Sequence, residues 1–273
     1  MGLTIGQIDY ANCFPIFSAL QKNFDCSAYR FVRGTPATLN KMLLSGEIDL
    51  CPSSSIAYAR SAEKYRLIPG LSISSIGSVK SVFLFSRVPI EKLDGMPIGL
   101  TVESATSIAL LKIILKKYYR FTNRFFPVVT ARTSAETQCC PAILVIGDTA
   151  LKWSQDFSGL YRYDLGALWL SLTGLPFVFA LWMIRDDVVV RMPEEAARIK
   201  AHLLAAKELA VSTLETLAAE SGEYAWMNRE TLLDYWKTIS YDLTPWHVEG
   251  ARSFFRDAAE TGILEREPAL RFL

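Results

Sequence analysis

Short apolar runs alternate with helical patterns along this chain, which predicts an α/β protein of two lobes built on largely parallel sheets. Two further observations point the same way. Hydrophobic residues make up 51% of the 273 positions and charged residues 21%, ample for a packed core. A long apolar run at 177–184 is followed from Pro193 onward by a helical pattern to the end, as if the chain returned to cover its first lobe.

In order, residues 3–8 read as a strand and 15–20 open a helix, with Pro15 suited to a first helical position. The stretch 29–32 is strand-like. Thr35 then serves as an N-cap with Pro36 behind it, Leu39, Met42 and Leu43 follow at helical spacing, and Ser45-Gly46 ends the helix. Residues 48–51 form a short strand, and Ser53, Ser54 and Ser55 stand ready to cap a helix over 56–62. Buried strands are expected at 71–76, 81–85 and 98–100. The last leads through Glu103-Ser104-Ala105-Thr106-Ser107 into a helix with Ile108, Leu111 and Leu115 on one face. Residues 142–146 form a strand ending at Gly147-Asp148-Thr149. The most apolar segment, 165–184, is broken by Gly174 and Pro176, so it does not read as a membrane span; Gly174-Leu175-Pro176 reads as a turn entering a buried strand. The expected boundaries are 1–86 plus 186–273 for lobe one and 87–185 for lobe two. Two crossing strands at 83–87 and 179–185 would form the hinge, with the ligand cleft between the lobes.

Composition excludes several classes. Lys and Arg total 29 against 28 Asp and Glu, so no basic surplus suggests nucleic acid. The first residues lack the pattern of a secretory signal, and Gly6 stands where a myristoylation motif needs Ser or Thr, so a cytoplasmic protein without a membrane partner is expected. Five cysteines, Cys13, Cys26, Cys51, Cys139 and Cys140, read as free thiols; metal or redox chemistry at the adjacent pair has no neighbouring Cys or His pair to support it. The only histidines, His202 and His247, lie in the helical tail, where surface or packing roles outweigh catalysis, so a Ser-His-Asp triad or histidine metal site is hard to assemble. With no GxGxxG, P-loop or HExxH motif, no cofactor and no metal are expected. The partner expected is a small molecule, bound by a monomer or homodimer.

What remains is a recurring set of neutral polar groups after the strands: Asn12, Ser53 to Ser55, Ser81 with its neighbours Ser74, Ser75 and Ser78, Thr106-Ser107, and Gly147-Asp148-Thr149. Helix starts present free N–H groups and a positive dipole end, so several of them around a cleft suit a small carboxylate. Any single Ser or Thr there also has plain helix capping as an explanation, and Asp148 fits a turn or N-cap role equally well. Asp9, Asp49 and Glu103 are the other carboxylates at strand ends.

These blocks resemble a known family. Asp9-Tyr10-Ala11-Asn12-Cys13-Phe14-Pro15 is similar to the S-Y-L-N-C-x-P segment of chorismate dehydratases of the futalosine route to menaquinone. Gly34-Thr35-Pro36-Ala37, Ser54-Ser55-Ile56-Ala57-Tyr58, Val79-Lys80-Ser81-Val82, Glu103-Ser104-Ala105-Thr106-Ser107, Ile146-Gly147-Asp148-Thr149 and Leu172-Thr173-Gly174-Leu175-Pro176-Phe177 follow in the family's order. The resemblance implies the two-lobed, type II periplasmic-binding-protein-like fold. It also implies a lyase that eliminates water from chorismate to give 3-[(1-carboxyvinyl)oxy]benzoate, with the substrate's own enolpyruvyl carboxylate taking the proton. On it, Asn12 and Ser81 are the expected catalytic residues, and Ser54, Ser55, Thr106, Ser107 and Asp148 the expected substrate-binding residues. Asp9, Ala11, Gln7 and Lys80 depart from the family's usual Ser, Leu and two Arg, which puts the cleft entrance and carboxylate contacts in question. The alternatives are the sister 1,4-dihydroxy-6-naphthoate synthase, with a roomier cleft, and a non-catalytic carboxylate-binding protein of the same architecture.

Overall fold

The computed structural model describes residues 2–128, 140–156, 159–221 and 226–273. Cys139 lies outside them. Two five-stranded sheets organise the chain. The first takes the order β2-β1-β3-β10-β4, from β1 (Leu3–Ile8), β2 (Tyr29–Gly34), β3 (Leu50–Ser54), β4 (Tyr65–Ser75) and β10 (Phe177–Arg185). The second takes the order β7-β6-β8-β5-β9, from β5 (Val82–Ser86), β6 (Pro97–Thr101), β7 (Arg124–Val128), β8 (Ala142–Ile146) and β9 (Tyr161–Asp164). In each sheet the strands joined by helices run parallel, β1 beside β2 and β3, β6 beside β7 and β8. The strands that complete each sheet, β10 and β5, are antiparallel to both neighbours.

Local signals account for many helices. Thr35 caps α2 (Pro36–Ser45) by accepting from the Thr38 N–H, and Gly46 closes it at φ 87°, a conformation that costs glycine nothing. Ser104 caps α4 (Ala105–Ile113) through the Ser107 N–H. Asp164 caps α6 (Leu165–Thr173), a helix the sequence reading missed, by accepting from Gly166 and Ala167. No element was expected at 165–173, where the apolar face packs Trp169 at 0% exposure against Phe177 and Phe254.

Three other expectations are corrected. The third strand begins at Leu50, later than expected, because Asp49 docks onto β1 by its own groups: it accepts from the Thr4 N–H at 2.8 Å and donates its N–H to the Thr4 carbonyl at 2.8 Å. The tail is helical through α8 (Pro193–Ser212), α9 (Leu214–Glu220), α10 (Arg229–Trp236) and α11 (Pro245–Glu260), but then runs back without helix along the edge of β4, where the Leu273 N–H donates to the Leu67 carbonyl at 2.9 Å and the Leu67 N–H to the Arg271 carbonyl at 2.8 Å. Lobe membership of two strands is also exchanged relative to the expected boundaries. Residues 82–86 pair within the second sheet and 177–185 within the first. The chain passes between sheets at 76–81 and returns through α6 and the turn at Gly174.

Candidate functional site

The strands of both sheets end at a narrow crevice of 70 Å³. Ile8, Tyr10, Asn12, Cys13, Pro36, Ser54, Ile73, Phe179 and Ala180 line it from the first sheet's side. Val79, Ser81, Val82, Ser104, Ser107, Ile146 and Gly147 line it from the second sheet and the connection leading into it. Among the described residues no charged side chain lies in this lining.

Asn12 stands in the tight turn between β1 and α1 (Phe14–Asn23), where the Cys13 N–H donates to the Tyr10 carbonyl at 3.0 Å. The tail holds that turn from behind. Trp236 Nε1–H donates to the Ala11 carbonyl and the Tyr241 hydroxyl to the Asn12 carbonyl, both at 2.8 Å. Asn12 Oδ1 itself is buried and accepts no hydrogen bond. An amide oxygen shut away without a donor costs free energy, and such a group marks a place for a ligand's O–H or N–H.

Ser81 is 2% exposed; its Oγ accepts from the Tyr235 hydroxyl at 3.0 Å, and its carbonyl accepts the Gly147 N–H at 2.7 Å. Ser54 Oγ accepts from Asn40 Nδ2 at 3.0 Å. Ser107 Oγ accepts from the Ser104 hydroxyl at 2.9 Å. Thus Asn12, Ser54, Ser81 and Ser107 meet in one crevice, as their positions after successive strands suggested. Helices α4 and α5 (Gly147–Asp156) also begin there, turning positive dipole ends toward it.

Ser55, Thr106 and Asp148 stand apart from this lining. Ser55 Oγ donates to the Val178 carbonyl at 2.6 Å and anchors α3 (Ser55–Arg60) to β10. Thr106 Oγ1 accepts the Ile56 N–H at 3.1 Å across the two lobes. Asp148 Oδ1 accepts the Ala11 N–H at 3.3 Å, and beside it the Tyr10 hydroxyl donates to Glu103 Oε2 at 3.1 Å. These three side chains join one lobe to the other or a helix to its sheet, because their polar atoms face protein partners. Burial pushes the Asp148 carboxyl up to about 6, against the pull of the Ala11 N–H and Lys152, and Glu103 adds to the rise. Burial and then Glu103 also push the Tyr10 phenol up, which keeps it a donor.

Tyr10, Cys13 and Ser104 were not singled out by the sequence reading as site residues, although each lies in a motif block. Burial raises Cys13 too, so it remains a thiol and not a ready nucleophile. Nothing local in the sequence marked Tyr235, Trp236 and Tyr241. Both histidines are packing residues: His202 faces Phe24 and bonds the Tyr29 hydroxyl, while His247, 3% exposed, bonds Ser240 and Thr244. Of the departures, Gln7 accepts from Gln21, Asp9 pairs with Arg33, and Lys80, at φ 60°, pairs with Asp234.

Among the described residues no helix is long and apolar enough to cross a membrane, and no group of three His, Cys, Asp or Glu could hold a metal ion. The chain is 32% identical over 203 residues to a chorismate dehydratase of Thermus thermophilus, covering 67% of this chain and 70% of that one. A chorismate dehydratase of Campylobacter jejuni is 31% identical over 74% of this chain and 79% of its own. A 1,4-dihydroxy-6-naphthoate synthase of Thermus thermophilus is more distant, 24% identical over 86% of this chain and 85% of its own. In fold the chain is similar to a Candida albicans protein described as having the generic periplasmic binding protein fold, with a TM-score of 0.72 at 11% identity, covering 98% of this chain and 92% of that one. The family model described as menaquinone biosynthesis matches residues 3–260, and the chain belongs to that family.

Proposed function

We propose that this protein is a chorismate dehydratase, a lyase that removes water from chorismate to give 3-[(1-carboxyvinyl)oxy]benzoate. The relatives named for that activity support it, and one observation carries it at the site: Asn12 Oδ1 is buried at an uncharged crevice with no hydrogen-bond partner. A dianionic substrate whose own carboxylate takes the ring proton needs no protein base. It needs a site that fixes the ring and accommodates the departing hydroxyl. In this reading Asn12 orients that hydroxyl and Ser81 hydrogen-bonds the ring substituents. Ser54, Ser107 and the N–H groups at the start of α4 hold the carboxylates. Ser55, Thr106 and Asp148 contribute by supporting these groups and by closing the lobes over them.

Aromatisation supplies the driving force, so rate depends on geometry, and a misplacement of about 1 Å is worth roughly a hundredfold. A crevice of 70 Å³ is well below the ~300 Å³ at the lower end of ligand pockets, so the lobes separate to admit substrate and then close over it. The free thiols of Cys13, Cys26 and Cys51 fit a cytoplasmic setting.

Incubating the purified protein with chorismate, and following product by absorbance and mass spectrometry, tests the reading. Release of the aromatic enol ether is expected. Folded protein that leaves chorismate unchanged eliminates it.

A further inference from the structure

We infer that Tyr235, Trp236 and Tyr241, from α10 and the segment after it, are positioning residues that set the geometry of Asn12 and Ser81; the inference rests on the dehydratase reading. The three aromatic residues lie within seven positions of one another, more than 150 residues from the groups they hold. Each donates one hydrogen bond into the site. Tyr235 reaches the Ser81 hydroxyl, Trp236 the Ala11 carbonyl, and Tyr241 the Asn12 carbonyl. All are nearly sealed from solvent, at 2%, 0% and 3% exposure. Trp236 also stacks on Phe14, the first residue of α1, at 5.7 Å between ring centroids and 7° between planes.

The arrangement has a specific consequence for each partner. Tyr235 supplies its proton to Ser81 Oγ, so the Ser81 hydroxyl has its own proton left to give and one acceptor direction already filled. Within the protein it donates to the Val79 carbonyl at a long 3.4 Å, a weak competitor for a substrate oxygen. Trp236 and Tyr241 grip two consecutive carbonyls of the turn, which fixes the peptide planes from which the Asn12 side chain projects. A short segment of the tail therefore reaches both catalytic residues at once, one on the first sheet's side and one at the entry to the second.

Steady-state kinetics on chorismate with Tyr235→Phe, Ser81→Ala and the double variant tests this, with melting temperatures recorded alongside. Tyr235→Phe keeps the ring and is expected to lower kcat roughly tenfold with KM changed less than about twofold. In the Ser81→Ala background the same change is expected to cost less than about twofold, because the hydroxyl it orients is gone. Tyr241→Phe measured with and without Asn12→Ala forms a second, independent cycle with the same expectation. Wild-type kcat in both single variants, or full additivity in both cycles, overturns the inference while leaving the dehydratase intact. A wild-type protein that does not turn over chorismate removes both together.

Discussion

The two walls of the crevice use their polar groups differently. On the first sheet's side Asn12 offers a buried oxygen with no partner, and the groups behind it, Trp236 and Tyr241, hold the backbone of its turn. The second sheet's side spends its carboxylates on the other lobe: Asp148 holds the Ala11 N–H and Glu103 holds the Tyr10 hydroxyl. One wall thus keeps an unsatisfied group for a ligand, while the other ties the lobes together. On the proposed reading, reactivity and closure are carried by different residues, which means they can be damaged separately.

The largest expected effect lies on the first wall. Asn12→Ala should lower turnover about a hundredfold, or ~2.7 kcal/mol, with little change in melting temperature, since its Oδ1 bonds nothing in the free protein. Near-wild-type turnover would break the contrast at once. Ser55→Ala tests the opposite kind of residue. It removes the donor to a buried carbonyl and should destabilise the fold by about 2 kcal/mol, read by chemical denaturation, with a smaller effect on kcat in the folded fraction.

Asp148 adds a pH signature. Its folded value near 6 lies above the unfolded value of about 3.9, so the folded state holds the extra proton between them. The stability tied to that proton is full below the unfolded value and is lost as pH rises through about 6. Asp148→Asn has no such titration, so wild type should lose melting temperature relative to it between pH 5 and 7, a difference that scanning calorimetry resolves. A constant difference across that range would place the titration elsewhere. Tyr10→Phe should have the smallest effect, ~0.5–1 kcal/mol, visible as a more open solution state by small-angle scattering; the ring still packs against Gly147, whose φ of 62° brings that turn close.

Much of the fold was legible because its signals are local. The runs at 3–8 and 142–146 are the strands themselves, and Thr35-Pro36 with Gly46 brackets α2 as capping chemistry requires. Part of the second sheet was not legible. Tyr161–Asp164 and Arg124–Val128 are short edge strands, half exposed, with too little apolar contrast to stand out. The apolar run before Gly174 hid a helix, since a stretch apolar at nearly every position shows little periodicity to distinguish it from a strand.

At the site the sequence by itself determined which groups stand after which strands, and so named Asn12, Ser54, Ser81 and Ser107 together. Only the tertiary structure decided which of the neighbouring hydroxyls and carboxylates face the crevice and which are committed to protein partners. It alone swapped the sheets of β5 and β10, joined Asp148 to Ala11 across 137 positions, and brought Tyr235 to Ser81 across 154. Caps and turns are written in neighbouring residues because their hydrogen bonds span three or four positions. A contact between distant segments depends on how two sheets pack, and no local pattern records that.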